Sequence, residues 1–537
     1  MTFSELNTQV DVFRDEIEAL VGQGRGHEIS DFVTSRFRLL LHRNLSLELE
    51  LLAEHRRQAG IRSEKLDPAQ LGLMLAKMPE GTVDPTIDLE DTKADDALLT
   101  EEIEAAEAEL ETPPKRRPRR LPFPESLPRE EIHHTLPPEE RTCGSCGQAM
   151  AKIGEDTSSV LRLIPARFEV EEHRREKYAC GRCKETVLTA PGPAKFIERG
   201  RAAPSLLAHV VQSKYQDHIP LARLADIYAR GGVPIARSTL CDWTARVADE
   251  LEPVAKRIWE KALASHTLQS DATGLRVLDR DDPNGIRRGT MWCAVGDKQY
   301  AGFQYAVTGS GEDGPWRFLA GREGYHQADA ATVFDRIYNG QVANATEVGC
   351  WAHARRRFET LRDTDSRVAY PLKLIAQLYR VETLADTKGL DPPARQKLRV
   401  ERSKRILERL TRWITRTVES EPPESALSKA CGYVVNQHEA LLCFLEDGHL
   451  PLDNNLCERQ LRSVAVGRKN YLFAGSDRAA ERAAILYTVV RTAALARIDV
   501  YAYLTRVLTK IAEGWPQSRL DEILPENHVP VYDCASD

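Results

Sequence analysis

The sequence predicts a multidomain α+β protein, and three observations predict it. First, its 537 residues exceed one domain of the usual roughly 100–200 residues, and 42% hydrophobic content is enough to build several cores. Second, the apolar period changes from helical spacing before about 263 to strand alternation after 264, and back to helical spacing after 361. Third, two Cys-x-x-Cys pairs stand apart from either pattern, upstream of the strands.

Residues 1–80 read as an N-terminal helical region. Leu40, Asn44, Leu47 and Leu51 have the spacing of a paired-helix seam, with a polar Asn of the kind that sets register. An ordinary amphipathic helix is the alternative; Leu45, Leu47, Leu49 and Leu51 also alternate as a strand would, but the flanking Glu, Arg and Ala favour helix. Residues 81–141 read as an acidic, then basic, proline-rich linker with too little apolar surface to fold alone. Its acidic part, 82–112, holds twelve acids and one base, a local net of -11. The whole chain carries -7, so the remaining 69 acids and 73 bases net +4. A polyanion-binding role is therefore not excluded by the total. Lys115, Arg116, Arg117, Arg119 and Arg120 form a basic knot able to touch phosphates, with a solvated charge run as the alternative.

Residues 142–190 read as a zinc ribbon. Cys143 and Cys146, then Cys180 and Cys183, form two knuckles that supply four thiolates for a closed, structural Zn²⁺ site. The strand-like runs Val160 to Ile164 and Arg167 to Val170 are expected to form its hairpins. A redox pair or unconnected thiols are the competing readings. The other seven cysteines are scattered singly, unlike a secreted disulfide framework. In 191–263, helical runs flank Gly231-Gly232, with Ser238-Thr239 expected to cap the second run, so the region reads as helix-turn-helix-like and DNA-binding. Plain helix packing is its alternative.

Strand-like runs at 266–278, 290–295, 300–308 and 345–351, with helix candidates at 315–320 and 330–339, make 264–360 a mixed α/β region. Residues 361–449 read as a helical insertion, 450–482 as a helix completing the α/β core, and 483–537 as a C-terminal helical module with an irregular tail. Asp271 falls on the first strand, Asp329 after a later one, and Glu458 early in the helix that follows Asp453-Asn454-Asn455. Two strand carboxylates and one helix carboxylate, far apart in sequence, suit a pair of divalent ions about 3.5–4 Å apart. Arg459, Arg462, Arg468 and Lys469 surround Glu458, and Arg355, Arg356 and Arg357 follow Trp351-Ala352-His353. Arginine suits phosphate, and Trp351 and Tyr471 are candidates for base stacking. A solvated helix face with structural ion pairs is the bland reading of these bases.

Several of these segments carry a family likeness. The stretches Arg62-Ser63-Glu64-Lys65-Leu66, the cysteine knuckles, Ser213 through Leu221, Ser238 through Trp243, Gly349 through Phe358, and Asp453-Asn454-Asn455 through Ser476 resemble the DDE transposases of the insertion sequence 66 family. A C-terminal segment, about 494 to 526, is similar as well. The resemblance implies an RNase H-like catalytic fold interrupted by the helical insertion, with Asp271, Asp329 and Glu458 matching the acidic triad. The family pattern has Glu where Ala272 stands.

The expected activity is DNA cleavage with water, followed by joining of the freed 3′ hydroxyl to target DNA. Asp271, Asp329 and Glu458 would hold two Mg²⁺ (or Mn²⁺) and the cysteines one structural Zn²⁺. His353, a buried structural histidine on the alternative reading, would orient phosphates together with Arg355, Arg356, Arg459, Arg462, Arg468 and Lys469. Expected partners are element-end and target DNA, further copies of the chain, and accessory proteins of the same element. The absence of a signal-like start and of an apolar run of ~18 residues predicts a cytoplasmic, nucleoid-associated protein with no membrane contact. Two rival functions are a catalytically inactive DNA-binding derivative and an RNase H-like nuclease without strand transfer.

Overall fold

The computed structural model describes residues 97–98, 100–105, 129–135, 137, 140–141, 145–150, 152–155, 157–162, 166–179, 187–422 and 424–528. The leucine seam, the basic knot Lys115 to Arg120, and three of the four knuckle cysteines (Cys143, Cys180, Cys183) lie outside them. Cys146 is described, and it is exposed. The strand-like runs at 160–170 are not strands where they are described. Instead, Lys177–Ala179 pairs antiparallel with Val187–Thr189, the two strands that flank the second knuckle in sequence.

One five-stranded sheet organises the rest. Strands β1 (Thr267–Leu278), β2 (Ile286–Gly296), β3 (Tyr300–Ala306), β4 (Glu323–Gln327) and β5 (Asn344–Val348) lie in the order β3-β2-β1-β4-β5. The first three form an antiparallel meander, with β1 paired to β2 from Leu268↔Gly296 to Leu278↔Ile286. β1 pairs with β4 in parallel over only three residues, Thr267↔Tyr325 to Gln269↔Gln327, and β4 continues in parallel to β5. The Arg322 side chain, only 4% exposed, fixes that register by donating to the carbonyls of Leu263, Ser265, His266 and Tyr325 at 2.5–3.0 Å. Four acceptors replace its lost hydration, although burial still pulls the guanidinium down to about 10.

Helices cover both faces. α1 (Pro204–Tyr215), α2 (Leu221–Arg230) and the start of α3 (Arg237–Leu263) share a small core of Val210, Leu221, Leu224, Tyr228 and Leu240. The rest of α3 runs into the principal core, where Val247, Leu251, Val254 and Ile258 meet β2 and β3. Ser238 and Thr239 do not cap α3: Ala236 is its N-cap, with no side-chain bond, and the two hydroxyl residues sit inside the first turn. Edge strand β3 is closed by α9 (Asp477–Leu495). Thr488 and Thr492, one turn apart, accept from the amides of Phe303 and Ala301, whose two-residue spacing spans a similar distance. α10 (Val500–Ala512) packs on the same core, and the tail is docked, with Ile523 and Leu524 fully buried.

Between β5 and α8 (Asn455–Tyr471) the described residues are helical or loop, with α4 (Trp351–Glu359), α5 (Ala369–Thr387), α6 (Lys404–Ser420) and α7 (Ala426–Asn436) building a second apolar core. Trp351 belongs to that core at 2% exposure, its indole N–H donating to Leu441 O at 2.9 Å, so it has no face for a nucleotide base. Tyr471 is likewise committed, its hydroxyl bonded to that of Tyr487. Among the described residues no helix is long and apolar enough to cross a membrane.

Candidate active site

Asp271 and Asp329 meet because of a repeated spacing. Gln269 pairs with Gln327 across β1 and β4, and in each chain segment an aspartate follows two residues further on, within β1 and just past β4. The parallel pairing ends at Gln269↔Gln327, and two residues beyond it Asp329 is still close enough to Asp271, on the longer β1, to raise its pKa. The alternation of β1 puts Gln269, Asp271, Thr273 and Leu275 on one face, the face covered by α8. Glu458 stands in the first turn of α8, where the helix dipole favours a negative charge.

A buried amide network sets the entry of α8. Gln269 Nε2 donates to Gln327 Oε1 (2.8 Å) and to Asp453 O (2.7 Å), and Gln327 Nε2 donates to Gly349 O and Pro451 O, each at 3.0 Å. Asn454, fully buried, donates from Nδ2 to Ser270 O and from its backbone N–H to the Cys350 sulfur. Asp453 turns back on Asn455, accepting from its backbone N–H at 3.1 Å and from its side chain at 2.6 Å. The Asp453-Asn454-Asn455 sequence thus fastens the helix start to the strand that bears Asp271.

From α4, His353 and Arg356, three residues apart on one face, reach Glu458: His353 Nε2 lies 3.7 Å from Oε1 and Arg356 Nη2 lies 3.7 Å from Oε2. Both separations exceed hydrogen-bond length, so the carboxylate is not locked, and Arg356 supplies the charge that attracts it while burial favours the neutral His353 ring. Asp271, Ala272, Thr273, His353, Arg356, Glu458, Leu461, Arg462 and Ala465 line an open cavity of about 370 Å³. Burial, with Asp329 and Glu458 adding repulsion, pushes the Asp271 carboxyl up to about 6, against the pull of the Ala272 N–H (2.7 Å) and Arg356. Burial lowers the His353 pKa, with Glu458 opposing. Its Nδ1 is buried without a partner among the described residues.

The predicted basic residues separate into groups. Arg356 and Arg462 line the cavity, while Arg459 and Lys469 are exposed on α8. Arg468 is spent on β1, donating to Thr273 Oγ1 at 2.9 Å and to Gly274 O. Arg355 is half-buried away from the cavity, toward Tyr379, and Arg357 lies over the Tyr433 ring at 5.2 Å. Sequence reasoning missed Gln269, Gln327 and Asn454. The signal was present as a Gln-x-Asp pattern occurring on both strands.

Comparison with known proteins agrees in extent with this architecture. Residues 199–482, more than half the chain, match the description "Transposase IS66 family". Residues 140–184 match a "zinc-finger binding domain of transposase IS66", 488–525 an "IS66 C-terminal element", and 46–132 a "Transposase C of IS166 homeodomain". Two relatives from Sinorhizobium fredii carry no described activity: uncharacterized protein y4hP is 32% identical over 509 residues (90% of this chain, 88% of that one), and uncharacterized protein y4jD is 33% identical over 425 residues (75% and 81%). The chain belongs to the IS66 family of transposases.

Proposed function

We propose that the chain is an active DDE transposase that cuts the ends of its mobile element and joins the freed 3′ ends to target DNA. The observation that carries this reading is that Asp329, just past β4, and Glu458, on the covering helix, both lie near enough to Asp271 on β1 to raise its pKa, with Asp271 and Glu458 lining one cavity. Three antiparallel strands followed by two parallel ones, in the order β3-β2-β1-β4-β5, support an RNase H-like core with 361–449 as its helical insertion. The division of the chain into the regions given above follows from that reading.

The donor set fits hard divalent ions. It offers only carboxylate oxygens at its centre, and burial, with the charges of Asp329 and Glu458 added, pushes the carboxyl of Asp271 toward neutrality when no cation is near. When bound, two Mg²⁺ (or Mn²⁺) supply Lewis acidity at the attacking and leaving oxygens of an in-line phosphoryl transfer. The chain's own part is placement. Asp271 is held on the sheet and Asp329 just beyond the end of β4, and the Gln269–Gln327–Asn454 network sets where the helix bearing Glu458 begins. Arg356 draws Glu458 toward α4, and Arg356 and His353 present N–H donors to a phosphate entering the cavity. Arg462, Arg459 and Lys469 lengthen that donor strip along α8, giving a salt-dependent grip on the DNA backbone. The knuckles Cys143, Cys146, Cys180 and Cys183 would hold Zn²⁺ for folding only, since four thiolates leave no open position for catalysis.

The test is a cleavage and strand-transfer assay with element-end DNA, Mg²⁺ and Asp271→Ala, Asp329→Ala and Glu458→Ala variants. Wild type should cut and join, and each variant should lose both activities while binding end DNA. A wild type that cuts without joining would establish the nuclease reading. Variants that stay active would overturn the triad.

A further inference from the structure

A second cluster of ligating side chains lies outside the carboxylate site. His266 precedes β1, whereas Asp447 and His449 belong to the segment that returns from the helices toward α8. His266 Nε2 is 2.6 Å from Asp447 Oδ2 and His449 Nδ1 is 2.8 Å from Asp447 Oδ1, and one donor atom from each residue lies within 4.8 Å of the others. The two imidazoles stand edge to face, 5.4 Å between centroids, and His266 meets Tyr325 in the same way at 5.2 Å.

We infer that His266, Asp447 and His449 form a separate metal centre that takes a borderline divalent cation of the zinc class and fastens the start of β1 to the end of the helical segment. Two imidazoles and one carboxylate suit Zn²⁺, Co²⁺ or Ni²⁺, whereas Mg²⁺ and Ca²⁺ take oxygen donors, so this site and the carboxylate site select different ions. Three protein ligands with the histidines half-exposed leave a coordination position for water.

Both sides of the cluster are braced before any ion arrives. On one side, Asp297 accepts from the backbone N–H groups of His266 and Thr267 at 3.0 and 2.9 Å. On the other, the Arg399 guanidinium, 1% exposed, donates to the carbonyls of Phe444, Asp447 and Leu450 at 2.7–2.9 Å. Gly448, between the two ligands of that segment, runs so close to Pro392 that a Cβ would sit 1.9 Å from its carbonyl oxygen. The ligands therefore start near their bound positions, and little ordering opposes binding. An ion there joins two pieces of chain that lead, five residues on, to Asp271 and, nine residues on, to Glu458.

The full chain, stripped of metal and then dialysed against micromolar Zn²⁺ with Mg²⁺ in large excess, tests this by metal count. Wild type should retain one more equivalent of zinc than the His266→Ala/His449→Ala double variant and than Asp447→Asn, while the cysteine-bound zinc stays equal in all three. Zinc should raise the Tm of wild type further than that of either variant, and its affinity for the extra equivalent should fall at least about tenfold on loss of one ligand. Asp447→Asn retains the shape of the side chain, so it reports even if the double variant is unstable. Equal counts in folded variants, or an extra equivalent in wild type only at millimolar zinc, would overturn the inference.

Discussion

Asp271 occupies a setting that opposes its own ionisation. A raised carboxyl pKa means that the folded chain holds its proton more tightly than the unfolded chain, so stability falls as pH rises from about 4 through about 6 and stays reduced above that. Asp271→Asn, which removes the charge, should therefore melt higher than wild type at pH 7.5 in metal-free buffer, with an upper bound of about 3 kcal/mol for a shift of this size. The difference should vanish near pH 4, and Mg²⁺ should raise the Tm of wild type but not of the variant; thermal melts across that pH range check both. Gln327 works through shape instead of charge. Gln327→Leu leaves the carbonyls of Gly349 and Pro451 without their donor and Gln269 without its acceptor, at a cost of about 2–4 kcal/mol in urea denaturation. Strand transfer should fall even where the variant is fully folded, because Pro451, just ahead of α8, loses its tie to β4 and Gln269, which holds Asp453, loses the partner that orients it.

At the scale of elements, register decides whether two aspartates become neighbours. Only three residue pairs join β1 to β4, too few to resist slippage unaided, and Arg322 supplies the missing constraint. Arg322→Met should lower unfolding free energy by on the order of 3 kcal/mol, since several carbonyls lose a buried donor together. Hydrogen exchange should quicken in 323–327 ahead of 286–306, where the antiparallel pairing is long. β1, β2, β3 and β5 were legible in sequence because β-branched and aromatic residues mark them. β4 was legible only as the strand ahead of Asp329: Glu323-Gly324-Tyr325-His326-Gln327 is mostly polar, and its buried His326 is held neutral by burial while bonded to Ser270 and Tyr338. The triad itself came from family likeness, since nothing in composition separates three acids from 81. The buried amides went unread because glutamine in a strand normally marks a solvent face. Trp351 misled for the opposite reason: the arginines after it suggested a nucleic-acid surface, yet helix period turns its ring into the second core.

At the scale of the whole molecule, the acidic run is not entirely a bystander. Part of it is helical at 100–105, with Glu102 bonded to Arg402 at 2.6 Å, Thr100 bonded to Arg380, and Ile103 packed on the second core. Two arginines of the helical segment are thus covered by this stretch, Arg402 by an acid and Arg380 by a hydroxyl, where they could face phosphate. Deletion of 82–112 should tighten nonspecific DNA binding and steepen the dependence of log K on log salt by about two, close to 0.9 per arginine released. An unchanged slope in a salt titration would rule out such masking. The amide of Gln327 has a further consequence at this scale. It donates to Gly349 O as the chain leaves the sheet and to Pro451 O as the chain comes back, so about one hundred residues begin and end on a single side chain. A loop closed at one point can lengthen, shorten or be exchanged between relatives without altering the span it bridges. The carboxylates proposed as catalytic are thereby insulated from the evolution of the segment between them.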